Sequence, residues 1–98
     1  MGPESAIEAS VCKWARENGI LVLKLNARGG LQAGQPDRMF LKNGRVAFIE
    51  FKAERQRPRA LQARWLERLR DQGFPAVWGW DKDELVLWLK HQLLNGNV

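Results

Sequence analysis

The sequence predicts an α/β fold with its elements in the order helix, strand, strand, strand, helix, strand, helix. Three observations predict it. Segments with apolar residues at helical spacing alternate with short runs of β-branched and aliphatic residues. An Asn43-Gly44 pair joins two of those runs, the strongest short signal for a two-residue hairpin turn. Both faces of the resulting hairpin are largely apolar, which suits central strands covered on both sides. At 98 residues the chain can bury one core without metal or disulfide staples but not two, so residues 1–98 read as a single domain.

The first element is a helix over residues 4–18, ESAIEASVCKWAREN, with Ile7, Val11 and Trp14 on one stripe and Gly19 as a left-handed stop. ILVLKLN, residues 20–26, reads as a strand, ended by the flexible loop ARGGLQAGQP, which carries Arg28. DRMFLK and RVAFIEFK follow as the two arms of the hairpin. Its two-residue turn sets Lys42 opposite Arg45 and, counting outward, Asp37 opposite Glu50. Position 37:50 is a non-hydrogen-bonded pair, with Cα atoms about 4.5 Å apart and both side chains on one face. Met39, Leu41, Val46, Phe48 and Lys52 share that face, while Phe40, Ile49 and Phe51 take the other.

Arg57-Pro58 opens the next helix, because proline suits a first turn. It runs to about Asp71, with Leu61, Trp65 and Leu69 as the apolar stripe and Gly73 as the stop. FPAVWGW, residues 74–80, is a short strand, after which Asp81 and Glu84 resemble a capping box for a last helix over about 83–94.

Composition narrows the class of function. Apolar runs fall far short of the ~20 residues that span a bilayer, and no secretory signal is legible, so a soluble, cytoplasmic protein is expected. A lone Cys12 excludes an internal disulfide, and there is no Cys/His cluster for zinc. His91 stands alone and receives no ligand role. The net charge of +5 resides entirely in residues 52–70, where seven Lys/Arg face two acids, and the rest of the chain balances. Such a concentration suits a polyanion such as nucleic acid, although a basic helix face that is merely solvated looks the same. Of the five tryptophans, Trp14 and Trp65 fall on or beside core stripes, and Trp78, Trp80 and Trp88 are expected to lie away from the acids, so base stacking is not assigned to them.

Two carboxylates directly opposed in a sheet repel, and an apolar setting adds a desolvation cost. A proton, the neighbouring Lys52 or a divalent cation could compensate, and an Asp plus a Glu with water suits a hard cation. The structural alternative is that Asp37 caps a turn after Pro36 while Glu50 and Lys52 form an ordinary ion pair.

The full combination is more specific. Gly-x-Pro-Asp in GQPDR, the turn-linked hairpin, Glu-x-Lys in AFIEFKAE and the basic helix LQARWLERLRDQG resemble the PD-(D/E)XK nuclease superfamily. More narrowly they resemble its virus-type replication-repair nuclease (VRR-NUC) family, with the first helix SAIEASVCKWARENG included, over nearly the whole chain. The resemblance implies a restriction-endonuclease-like core, a mixed sheet flanked by helices, and phosphodiester hydrolysis with Mg2+ or Mn2+. Asp37, Glu50 and Lys52 match the family's site, the metal ligands being Asp37, Glu50, the Phe51 carbonyl and a first-helix glutamate. Glu8 is chosen for that glutamate because its spacing to Gly19 is similar to that in junction-resolving relatives; Glu4, in the first turn, is the second choice. Gln62 matches a family glutamine early in the second helix, although Arg57-Pro58 stands where the family often has Ser-Pro.

Arg28, Arg55, Arg57, Arg59 and Arg64 are candidates for phosphate contacts, which confer affinity without reading sequence. Nothing resembles a base-reading element, so a structure-selective enzyme is expected. Stand-alone relatives look like phage-type homodimers that cut four-way (Holliday) junctions, as distinct from flap nucleases, and no small-molecule cofactor or membrane partner is implied. Two rival readings are a non-catalytic basic nucleic-acid-binding module and a membrane-surface or partner-binding use of ALQARWLERLR. The last predicts an exposed Leu61/Trp65/Leu69 stripe, whereas the nuclease reading buries it.

Overall fold

A computed structural model describes residues 2–25 and 33–95. Arg28 and most of its loop lie outside the described residues. The elements follow the predicted order: α1 (Pro3–Glu17), β1 (Leu21–Lys24), β2 (Arg38–Lys42), β3 (Arg45–Phe51), α2 (Ala60–Asp71), β4 (Ala76–Gly79) and α3 (Lys82–Leu89), which continues as a π-helical turn over Lys90–Leu94. Together they form a mixed four-stranded sheet in sequence order, antiparallel from β1 to β3 and parallel between β3 and β4.

The Asn43-Gly44 turn forms, with φ of 54° and 77°, the left-handed pair that a primed turn requires. It imposes the predicted register from Lys42↔Arg45 out to Arg38↔Ile49. The ladder stops there, one pair short of Asp37 and Glu50, because Pro36 has no N–H to contribute. The Asp37 side chain continues it instead, Oδ2 accepting the Phe51 N–H at 2.8 Å.

The core lies on one face of the sheet. Phe40, Ala47, Ile49 and Phe51 are fully buried there beneath Val11, Cys12 and Ala15 of α1 and Leu85, Leu89 and Leu93 of α3 and its extension. Coverage of the second face departs from expectation. There α2 packs against β4, so Met39, Leu41, Val46 and Phe48 stay half-buried and Leu21 and Leu23 of the edge strand are exposed.

The α2 helix also departs from its predicted start and stripe. It begins at Ala60, with Pro58 outside the helix and Arg59 as N-cap. The residue it buries is Leu66, 1% exposed, whereas Leu61 is 49% exposed and Trp65 half-buried. The Leu61/Trp65 ridge faces the chain before Asp37, not the sheet: Trp65 Nε1 donates to the Ala33 carbonyl at 3.1 Å. A Cβ at Gly34 would lie 2.7 Å from Leu61 Cγ, and its φ of +86° also favours glycine. Among the described residues no helix is long and apolar enough to cross a membrane.

Candidate active site

Where β3 ends, a cleft of about 520 Å3 opens between the first turns of α1 and α2. The acids Glu4, Asp37 and Glu50 share it with Lys52, Gln56, Gln62, Arg57 and Arg59. Each reaches it for a local reason. Period-two alternation sends Glu50 to the face opposite Ile49 and Phe51, which are committed to the core. The bend after Pro36 lets Asp37 turn its carboxylate onto the end of β3. Gln62 sits in the first turn of α2, and its Oε1 accepts the Arg59 N–H at 2.9 Å, so helix capping also orients its amide.

Glu50 is the centre of the cluster and is only 2% exposed. Its Oε2 lies 3.2 Å from Lys52 Nζ and accepts Gln62 Nε2–H at 3.0 Å. Its Oε1 is buried with no hydrogen-bond partner among the described residues. Burial is the main cause that pushes the Glu50 carboxyl up to about 7, Asp37's charge adds to it, and Lys52 pulls the other way.

A buried acceptor left without a donor costs about 1–3 kcal/mol, and native proteins seldom retain one without use. A proton or a hard cation would satisfy this one. The oxygen donors of Asp37 and Glu50 fit Mg2+ or Mn2+, which commonly take one or two protein carboxylates and keep several waters. Among the described residues, no three His, Cys, Asp or Glu side chains converge closely enough to hold an ion unaided.

Comparison with known proteins places this geometry. No family model and no curated protein matches the sequence. Among solved structures, one described as a "VRR_NUC domain" superimposes with a TM-score of 0.79 at 26% identity, covering 93% of this chain and 98% of the other. A second, a "VRR_NUC domain protein", gives 0.72 at 18% identity over 91% and 86% of the two chains. In fold the chain is a VRR-NUC domain. The likeness is therefore to a family of nucleases, and its restriction-endonuclease-like α/β architecture is the one expected from the sequence.

Within the VRR-NUC domain, Asp37, Glu50, Lys52 and Gln62 come together in the cleft as the sequence reading grouped them. Glu8 does not join them. Arg38 Nε holds Glu8 Oε2 at 2.6 Å, with both side chains just over four-fifths buried, and Glu4, one turn earlier on the same helix face, lines the cleft in its place. Of the candidate phosphate contacts, Arg57 and Arg59 line the cleft, while Arg55 and Arg64 are exposed beyond it. Gln56, which also lines the cleft, was missed, and only its place between Arg55 and Arg57, two candidate phosphate contacts, could have suggested it. The tryptophans need a further correction: Trp78 pairs in register with Glu50 and is therefore the strand neighbour of that acid, although it lines a separate cavity.

The Glu4/Glu8 exchange has a simple test. Glu4→Gln should cut nuclease activity by about tenfold or more with little change in melting temperature. Glu8→Gln should instead lower stability by about 1–3 kcal/mol, since it weakens a charge-assisted bond between α1 and β2. Denaturant unfolding beside a cleavage assay separates the two.

Proposed function

We propose that this VRR-NUC domain is a Mg2+- or Mn2+-dependent deoxyribonuclease that hydrolyses phosphodiester bonds in branched DNA, four-way junctions foremost, as a homodimer. The observation that carries the reading is the bare Glu50 Oε1, buried in a cleft beside Asp37 and Lys52. A purely structural glutamate would have been given a second partner, which disfavours the non-catalytic binding module.

Asp37, Glu50, the Phe51 carbonyl and Glu4 are the groups that would hold the ion. When bound, the ion supplies Lewis-acid charge to the scissile phosphate and acidifies a water. Gln62 fixes Glu50 through a hydrogen bond to Oε2 and leaves Oε1 without a protein donor. Lys52, tethered to the same carboxylate, orients the attacking water and offsets the negative charge that gathers on phosphorus. Arg57 and Arg59 take flanking phosphates, with Arg55 and Arg64 extending the basic track outward. A two-fold dimer would present two such clefts to the two strands of a symmetric junction.

Matched junction, flap, duplex and single-strand substrates, incubated with Mg2+ or Mn2+, test the reading alongside a solution mass. The expected result is metal-dependent cleavage, fastest on the junction, by a species of twice the chain mass. A monomer that prefers flaps would move the assignment to flap cleavage, and binding without cleavage in either metal would overturn the enzyme.

A further inference from the structure

We propose that Trp78 and Trp80 form a binding site for an unstacked nucleobase next to the phosphate held in the cleft, an inference that rests on the nuclease reading above. The parallel ladder pairs Glu50 with Trp78 and Phe51 with Gly79, and the Lys52 N–H donates to the Gly79 carbonyl at 2.9 Å. Residues paired in this way project to one face, so Trp78 and Glu50 are side-by-side neighbours on adjacent strands, whose backbones run about 4.8 Å apart. Carboxyl ends of parallel strands are where open α/β sheets bind ligands, and β3 and β4 end here together.

The core does not use these rings. Val77, on the opposite face, packs against the core cluster, whereas Trp78 and Trp80 remain outside it and half-buried. Their rings lie 5.8 Å apart, tilted by 52°, so no base fits between them, but each offers a face to one. With Asp81 and Glu84 they wall a cavity of about 230 Å3.

Its polarity matches a nucleotide. The cleft end carries Lys52, Arg57 and Arg59 for phosphate beside its three acids. The tryptophan end is aromatic and acidic, which repels phosphate but can stack a base and accept from an exocyclic amino group. Asp81 already accepts the Glu84 N–H at 3.2 Å, leaving the exposed Glu84 carboxylate as the acceptor to offer. Bases at a branch point are already unpaired or easily unstacked, so capturing one costs less than in a duplex. That difference would give selectivity for branched DNA without reading its sequence.

Photocrosslinking of the parent protein to junctions carrying 5-iodouracil next to the branch point, in EDTA, tests the site. Crosslinks should map to Trp78 or Trp80. Trp80→Ala should weaken binding to junctions about 5- to 150-fold and leave duplex binding as it was, while Trp80→Phe keeps most of the preference. Crosslinks that map only elsewhere, or a folded Trp80→Ala protein that retains the full junction preference, overturn the proposal. The parent's crosslinks decide the matter if Trp80→Ala does not fold. Failure of the nuclease reading shows separately, as absent cleavage by the parent.

Discussion

Glu50→Gln should lose metal-dependent cleavage by on the order of 10³-fold and yet unfold at higher denaturant than the parent when divalent ions are absent. The two effects share one cause. A buried carboxyl whose pKa stands at about 7 instead of 4.5 favours its protonated form in the folded state. Its contribution to stability is complete below pH 4.5 and is lost as pH rises through 7. At pH 8 the parent therefore carries a penalty of about 3 kcal/mol that the neutral glutamine avoids. The advantage of Glu50→Gln should be near zero at pH 4 and grow across that window. Unfolding curves at pH 4, 6 and 8 with EDTA check it, and parallel pH profiles for the two proteins would remove Glu50 as the strained group. By the same logic, a cation held by the carboxylate should bind more weakly below pH 7.

Asp37→Asn and Lys52→Met should each reduce cleavage by about 10²- to 10³-fold while moving the Glu50 titration in opposite directions. Asp37 raises the Glu50 pKa by its charge, so asparagine should bring it below about 7. Lys52 lowers it, so methionine should take it higher. Asparagine retains an oxygen to accept the Phe51 N–H, and the end of β3 should keep its shape. Carboxyl carbon NMR titrations of the two variants give the signs, and cleavage assays give the losses. Undiminished cutting by Asp37→Asn would falsify the active-site assignment. Shifts of equal sign would mean that Glu50 does not sit between these two charges.

Local chemistry was legible in the sequence wherever one interaction decides the outcome. Asn43-Gly44 determines the hairpin and hence the register that carries Asp37 toward Glu50, because a primed turn matches strand twist and leaves no other alignment. Gly19 and Gly73 mark where helices stop, since their φ values of 75° and 90° are costly for any residue with a side chain. Asp81 marks where α3 starts, as its carboxylate accepts an otherwise unpaired N–H. The alternation along RVAFIEF separates Glu50 from Ile49 and Phe51 without reference to anything outside the strand.

Local residue patterns carry the order of elements and the hairpin that brings Asp37 toward Glu50 and Lys52, whereas Gln62 joined them only through the family resemblance. Tertiary structure alone decided how the helices approach that group. Glu4 and Glu8 occupy one helix face a turn apart, so local patterning ranks neither; the crossing of α1 over the sheet gives Glu8 to Arg38 and leaves Glu4 at the cleft. The ridge of Leu61 and Trp65 is the more apolar in sequence, yet docking sends it to Gly34 and buries Leu66 in the protein instead. Trp78 came to lie beside Glu50 through a parallel pairing that no turn specifies. Short-range geometry is written residue by residue, whereas the choice among equivalent faces depends on contacts between segments far apart in the chain.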